Sequence, residues 1–215
     1  MAPTPALVAL LSAALLLQDG SAQSRPASAP ADPEAKITSA ERDKALDLQR
    51  KLEKETLAAV EGLSDAQWTW KPAPNKWSVG EVIEHLVLVE TRVQGRLDKT
   101  LAGAPDPDWK KKTAGKAEML EKLLPDRSMK ADAPEPVQPK GKLTHAEAIA
   151  EYKKARAKTI EMTVKSDAPL KAFTFDHPFF GPLSAYQWLL LVPLHNQRHN
   201  QQIAEVKATA GFPSK

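Results

Sequence analysis

Four long runs of helix-favouring residues in this 215-residue chain each open with a Ser or Thr followed three residues later by Glu or Gln. The pairs are Thr38/Glu41, Ser78/Glu81, Thr144/Glu147 and Ser184/Gln187. In such a capping box the hydroxyl accepts the N3 amide proton, and the N3 side chain returns to the amide of the cap residue. One match is weak because these residues are common. Four matches opening four Ala/Leu/Glu/Lys-rich segments predict four helices and an all-α chain. Trp77 and Leu183 precede two of the caps and are expected to pack on Val82 and Trp188 as hydrophobic staples.

The first helix is expected from Ser39 to about Glu61, with Leu48, Leu52, Leu57 and Val60 inward, before Gly62. The second runs from Val79 to Leu101, with Val82, Leu86, Val89, Val93 and Leu97 on one face, before Gly103 and Pro105. The third runs from His145 to about Lys165, with Ile149, Tyr152, Ile160 and Val164 inward. The fourth runs from Ala185 to about Ala208. Between the second and third lies an irregular insertion at about 105–141, with a short helix at 116–124 and the prolines Pro134, Pro136 and Pro139 in an extended stretch. A link of that length favours a four-helix bundle with one crossover over four tight hairpins. Trp68, Trp70 and Trp77 are expected to close one end of the bundle, with Trp109 on the insertion.

The start of the chain reads differently. Ala6 to Leu17 is an apolar run too short for a membrane span of about 20 residues. Gly20 and Ala22 supply small residues before a cut after Ala22, so 1–22 reads as a secretory signal peptide, although its start carries no Lys or Arg. Residues 23–37, rich in Ala, Pro and Ser, read as a flexible leader, and 38–211 as the bundle domain. The expected location is periplasmic or extracellular, with no stable membrane span after signal removal; retention as an N-terminal anchor is the alternative.

The absence of cysteine excludes disulfides, thiolate metal sites and a cysteine nucleophile. With 30 basic and 27 acidic residues interspersed, nucleic acid is not an expected partner, and Lys110–Lys112 reads as a solvated cluster. A homodimer is compatible with such a bundle.

The fourth helix carries the strongest chemical signal. At 100° per residue, counted from Trp188, His195 falls near −20° and His199 near about 20°, in the middle of the stripe of Val192, Ile203 and Val206. Residues at i and i+4 stand one above the other, so two imidazoles there can direct nitrogens at one ion. A working site needs at least a third protein ligand. His85, on the flank of the second helix's apolar stripe, is the best candidate; His145 and His177 are poorer. Core histidines bonded to a carbonyl or carboxylate are the plainer alternative for each.

Two blocks carry a resemblance. One is Lys71-Pro-Ala-Pro-Asn-Lys-Trp77-Ser78-Val-Gly-Glu81-Val-Ile-Glu84-His85-Leu86. The other is Asp176-His177-Pro178-Phe-Phe-Gly181-Pro-Leu-Ser184, continuing through Trp188 to His195-Asn-Gln-Arg198-His199 and Gln202-Ile203. Together they resemble the DinB-like superfamily of metal-binding four-helix bundles. The resemblance implies that His85, His195 and His199 hold a divalent metal. It also implies a four-helix bundle with an unusual connection between its middle helices. Some relatives resemble transferases of intracellular thiols, an activity that an exported chain with this insertion puts in doubt.

All-histidine ligation favours transition metals over calcium or magnesium: zinc or nickel first, copper also fitting the donor set, iron or manganese at higher coordination number. The expected chemistry is that of a metal-dependent hydrolase or transferase activating water or another nucleophile for a small-molecule substrate. A non-enzymatic metal- or ligand-binding stress module is the alternative. No general base is fixed by the sequence. Glu81 and Glu84 are candidates, or ordinary acids at a helix start. Tyr152 and Arg156 are candidate substrate contacts, although for Arg156 the favoured reading is a flank residue that snorkels to water.

Overall fold

A computed structural model of the chain describes residues 32–128 and 132–215. The signal-like segment and most of the expected leader lie outside the described residues. The leader's last residues do not hang free: Pro33–Ala35 forms a 3-10 turn, Ala35 is buried, and its carbonyl accepts from the Lys171 amide.

Among the described residues, seven α-helices and one hairpin follow: α1 (Ser39–Val60), α2 (Asp65–Thr69), α3 (Val79–Leu101), α4 (Trp109–Thr113), α5 (Lys116–Leu123), α6 (His145–Lys165), β1 (Thr174–His177), β2 (Gly181–Ser184) and α7 (Ala185–Ala208). The four long helices form the bundle, and all four expected capping boxes close at their starts. A fifth, Ser64/Gln67, opens α2. Trp77 and Val82 share one apolar cluster, Leu183 and Trp188 another, as the staples require.

Side-chain bonds fix the helix directions. Val79, Val82 and Ile83 at the start of α3 share a cluster with Ala148 and Tyr152 at the start of α6, and Asp98 near the end of α3 meets Lys158 farther along α6, so α3 and α6 lie side by side and parallel. Gln49 meets Leu189 and Thr56 meets Asn200, so α1 and α7 are also parallel. The two pairs run in opposite senses. Two consecutive long helices that are parallel neighbours need a connection that returns along the bundle, about 35 Å for the 23 residues of α3. The proline-rich stretch between α3 and α6 is that return, and α4, α5 and a 3-10 turn at Glu135–Val137 punctuate it.

The core divides into two apolar clusters. One holds Val93, Leu97, Leu189, Leu190 and Leu191 beside the hairpin; the other holds Val79, Val82, Ile83, Leu86, Tyr152 and Ile203 beside Trp68. A polar layer lies between them. Arg156, fully buried, donates to Glu90 Oε2 (3.1 Å) and to the Gln49 carbonyl (3.5 Å). Thr159 donates to Glu90 Oε1 (2.6 Å). With its amide oriented to suit its neighbours, Asn196 accepts from Arg156 Nη2 (3.0 Å) and from the Tyr152 hydroxyl (2.6 Å) and donates to the Val192 carbonyl (2.9 Å).

This layer corrects two sequence expectations. Arg156 does not snorkel to water; it is the charged centre of the core. Val164 is not inward but 49% exposed, because the buried face of α6 runs Ala148, Tyr152, Ala155, Arg156, Thr159, Thr163. A polar stripe here occupies the face that hydropathy assigns to aliphatic residues. The hairpin was also unexpected: His177, read as a turn residue, pairs in antiparallel register with Gly181.

Two residues show how locally improbable choices are accommodated. Pro193 sits inside α7 and has no N–H for the Leu189 carbonyl; Gln49 Nε2 donates to that carbonyl instead (3.3 Å). Gly80 allows Trp68 to reach α3, since a Cβ there would lie 2.4 Å from the indole Nε1.

Both accommodations can be tested by substitution. Gly80→Ala, which ordinarily stabilises a helix by up to about 1 kcal/mol, is expected here to destabilise by about 1–3 kcal/mol through overpacking against Trp68; denaturant unfolding measures the sign. Gln49→Ala is expected to cost about 1–3 kcal/mol. That cost should shrink in the Pro193→Ala background, where residue 193 again supplies an N–H to Leu189. Equal costs in both backgrounds would disprove the compensation.

Candidate metal centre

Antiparallel packing of α3 against α7 sets His85 opposite the turn that carries His195 and His199. Their candidate ligand atoms all lie within 4.8 Å of one another. The ring centroids are 4.4 to 5.2 Å apart and the ring planes cross at 57° to 69°, so the rings converge edgewise and do not stack. His85 and His199 are buried, and His195 is partly exposed.

Each of two rings has one nitrogen committed elsewhere. His85 Nδ1 lies 2.7 Å from the Val137 carbonyl, which can only accept, so Nδ1 carries the proton and Nε2 presents a lone pair. His199 Nδ1 lies 2.8 Å from Gln202 Oε1, with the same consequence for its Nε2. The Nε2 atoms of His195 and His199 face each other at 3.1 Å. Two imidazole nitrogens so placed share either a proton or a cation. A tetrahedral ion with bonds of about 2.0–2.1 Å holds its nitrogens roughly 3.3 Å apart, so the pair is already spaced for one. The second contacts, a backbone carbonyl and a side-chain amide, are of the kind that fixes the tautomer of a ligating histidine.

The electrostatics favour neutral rings. Burial, followed by the neighbouring His199 and His85, pushes His195 well below the ordinary imidazole value. Burial, followed by His85, pushes His199 down to about 3, against the upward pull of Gln202. Burial lowers His85 as well, opposed by its bond to Val137.

The four other residues considered from sequence are not gathered with the imidazoles. Glu81 closes the α3 capping box and pairs with Lys71 (2.8 Å). Glu84 accepts from the Gly141 amide (2.7 Å) and so ties the crossover to α3. Tyr152 and Arg156 belong to the polar layer. Trp77 packs on the same apolar cluster as Trp68 and Trp70 and also walls the centre: its ring lies 4.8 Å from His85 and 6.3 Å from His199. The staple position before Ser78 was the signal that placed it there. Val137 carries no side-chain signal for its role, because it acts through its carbonyl. His145 stacks on Trp68 (4.2 Å), and His177 lies in the hairpin.

The fold and cluster together define a four-helix bundle with three convergent histidines on two antiparallel helices. Residues 48–203, well over half of the chain, match the DinB superfamily, and the chain belongs to that family. It is similar to YuaE of Bacillus subtilis (strain 168), 28% identical over 157 residues that cover 71% of this chain and 91% of YuaE. Among solved structures it is similar to YfiT from Bacillus subtilis, described as a probable metal-dependent hydrolase with an unusual four-helix bundle topology. That match is 19% identical, covers 85% of this chain and 94% of YfiT, and has a TM-score of 0.53. A match to TT2238, a four-helix bundle protein, is 24% identical, covers 76% and 98% of the two chains and has a TM-score of 0.48. The YfiT likeness supports the bundle fold.

Because the folded chain holds these rings neutral while the unfolded chain protonates them near pH 6.5, the unfolded state binds more protons between those limits. Stability of the metal-free protein is therefore expected to be full above about pH 6.5 and to fall progressively as pH drops toward about 3. His199→Asn should flatten that slope in denaturant unfolding measured across the range; an unchanged slope would disprove the assignment.

Proposed function

We propose that the chain binds one divalent transition metal through Nε2 of His85, His195 and His199, and that it acts there as a metal-dependent hydrolase or transferase on a small molecule. The carrying observation is the 3.1 Å approach of two Nε2 atoms, one of them stripped of its proton by Gln202, beside a third imidazole oriented by a backbone carbonyl. Zinc and nickel suit the all-nitrogen donor set best. A divalent ion held by three neutral imidazoles supplies Lewis acidity and a nucleophile active at neutral pH. The protein's own residues do the rest. Val137 and Gln202 hold protons on the outer nitrogens, keeping the inner lone pairs aimed at one point. Trp77 excludes water from one side. YfiT's description as a probable metal-dependent hydrolase agrees with this reading.

A second reading has its own observation. Glu81 and Glu84 are both engaged in holding α3, so neither supplies a ready general base. A metal- or ligand-binding module without turnover needs none. Export is part of the proposal, supported by the apolar run and small residues before position 23. Among the described residues, no helix is long and apolar enough to cross a membrane.

Protein purified without an affinity tag is expected to carry or take up one equivalent of zinc or nickel, and His195→Ala to lose most of that affinity. At a hundredfold excess over Kd the metal should add about 2.7 kcal/mol to the parent, raising its Tm by roughly 5–10 °C, and leave the variant unmoved. No stoichiometric uptake by the parent overturns the metal reading. With metal bound, hydrolysis of ester, amide or phosphoester substrates supports the enzyme, and inactivity across that panel favours the binding module.

A further inference from the structure

Residues 134–141 end the long return from α5 to α6 and lie on the start of α3 as a stiff arm. Pro134, Pro136 and Pro139 fix three of its φ angles. One 3-10 turn ties the arm to itself: Val137 N donates to the Pro134 carbonyl (3.0 Å) and Gln138 N to that of Glu135 (3.1 Å). Gln138 Nε2 adds a bond to the Ala133 carbonyl (2.9 Å). The arm therefore docks, or leaves, as a unit.

Its hold on the rest of the chain is slight. Among the described residues, two hydrogen bonds join 134–141 to other elements, and both go to adjacent positions on α3. Gly141 N donates to Glu84 Oε2 (2.7 Å), and His85 Nδ1 donates to the Val137 carbonyl (2.7 Å). Val137 is buried, yet it belongs to neither core cluster. A segment held by few apolar contacts and few bonds opens at a lower free energy than the whole fold. Gly141 adopts φ +62°, a left-handed turn suited to glycine, and there its amide meets Glu84. Glu84 is itself buried, so this amide answers a carboxylate that has left water.

The consequence reaches the three imidazoles. With the arm docked, the Val137 carbonyl keeps the His85 proton on Nδ1 and leaves Nε2 as a lone pair. With the arm away, His85 loses that acceptor, and part of the population carries its proton on Nε2, which then cannot ligate. Glu84 is not one of the convergent ligands; it acts on His85 through the arm.

We propose that Glu84 is a positioning residue for the three-histidine centre: by holding the Gly141 amide it docks residues 134–141 on α3, and docking of this arm and metal occupancy are coupled. The inference rests on the metal reading above. Coupling of this kind is reciprocal, so an arm that favours the metal is in turn held down by it.

The metal-free chain gives the first test. At pH 8, long-range ¹H–¹⁵N spectra should show His85 as the Nδ1–H tautomer, and E84A should move it to a mixture of the two. An Nε2–H tautomer in the parent, or no change in E84A, overturns the proposal. The second test is affinity for zinc, or for nickel where the parent prefers it. E84A should bind roughly tenfold more weakly, as a docked fraction falling to about one tenth implies. E84Q keeps an oxygen for the Gly141 amide while removing the charge, so it should restore the tautomer and bind within about threefold of the parent. Equal weakening in both variants assigns the effect to the carboxylate's charge and overturns the positioning role, as does parental affinity in E84A. The third test needs no variant. In hydrogen exchange of the parent, saturating metal should slow peptides spanning 134–141 roughly tenfold, the same factor by reciprocity, and more than peptides of the β1–β2 hairpin. No slowing, or equal slowing in both, overturns the coupling. Metal uptake without these effects leaves the metal reading intact, whereas a parent that takes up neither ion overturns both.

Discussion

A full positive charge sits at the centre of this bundle, and all four long helices take part in holding it, Arg156 itself standing on α6 and its partners on the other three. Arg156 on α6 bonds to Glu90 on α3, to the Gln49 carbonyl on α1 and to Asn196 on α7. A buried guanidinium without partners costs several kcal/mol, so a shift of any helix by one turn would strand it. An ion pair this deep adds little net stability over an apolar pair. What it adds is register. Burial raises the Glu90 carboxyl above its ordinary value, with Arg156 and Thr159 opposing that shift. Asn196 follows His195 directly, so the residue that answers the core charge also fixes the rotation of α7 that turns its imidazoles toward α3.

The parallel pairing of α3 with α6 brackets the same layer, Val79 and Val82 packing with Ala148 and Tyr152 on one side of it and Asp98 meeting Lys158 on the other. Parallel neighbours cannot be joined by a short loop. The chain therefore makes a long return, and the end of that return is pinned to α3 at two points: Glu84 holds the Gly141 amide, and His85 holds the Val137 carbonyl. Two acids and a histidine at the start of α3 thus do separate work. Glu81 closes the helix start, Glu84 anchors the crossover, and His85 turns its free nitrogen inward.

Much of this was legible in the sequence because the signals are local. A capping box spans four residues, and all four expected ones close at the helix starts. The i,i+4 imidazole pair needs only helical geometry to be recognised, whereas His85 depends on the two resemblance blocks. The two misreadings on α6 share one cause. Arg156 and the inward Thr159 and Thr163 are polar, so a hydropathy stripe drawn on α6 slides toward Val164. Their burial depends on Gln49, Glu90 and Gln94, which come from two other helices. The hairpin escapes a reading of the sequence because strands of four residues are too short for alternation to register. Pro193 would ordinarily argue for a helix break; what permits it is Gln49, far away in the chain on α1.

The orientation of the third imidazole shows why the long connection matters beyond topology. A histidine on α3 alone would be free to protonate either nitrogen, and only one of its two tautomers offers Nε2 as a lone pair. The Val137 carbonyl removes that choice, and it arrives there because Glu135–Val137 winds one 3-10 turn against α3. Gln202 makes the same selection for His199 from within α7, one turn on. The two selections differ in robustness. Gln202 moves with its own helix, so its contact survives any rigid motion of α7. Val137 belongs to a segment whose attachment to α3 includes the Glu84 and His85 bonds, so loosening the crossover releases His85 first. The centre is therefore built asymmetrically, with two ligands preset by one helix and a third whose aim is conditional on the docking of the crossover.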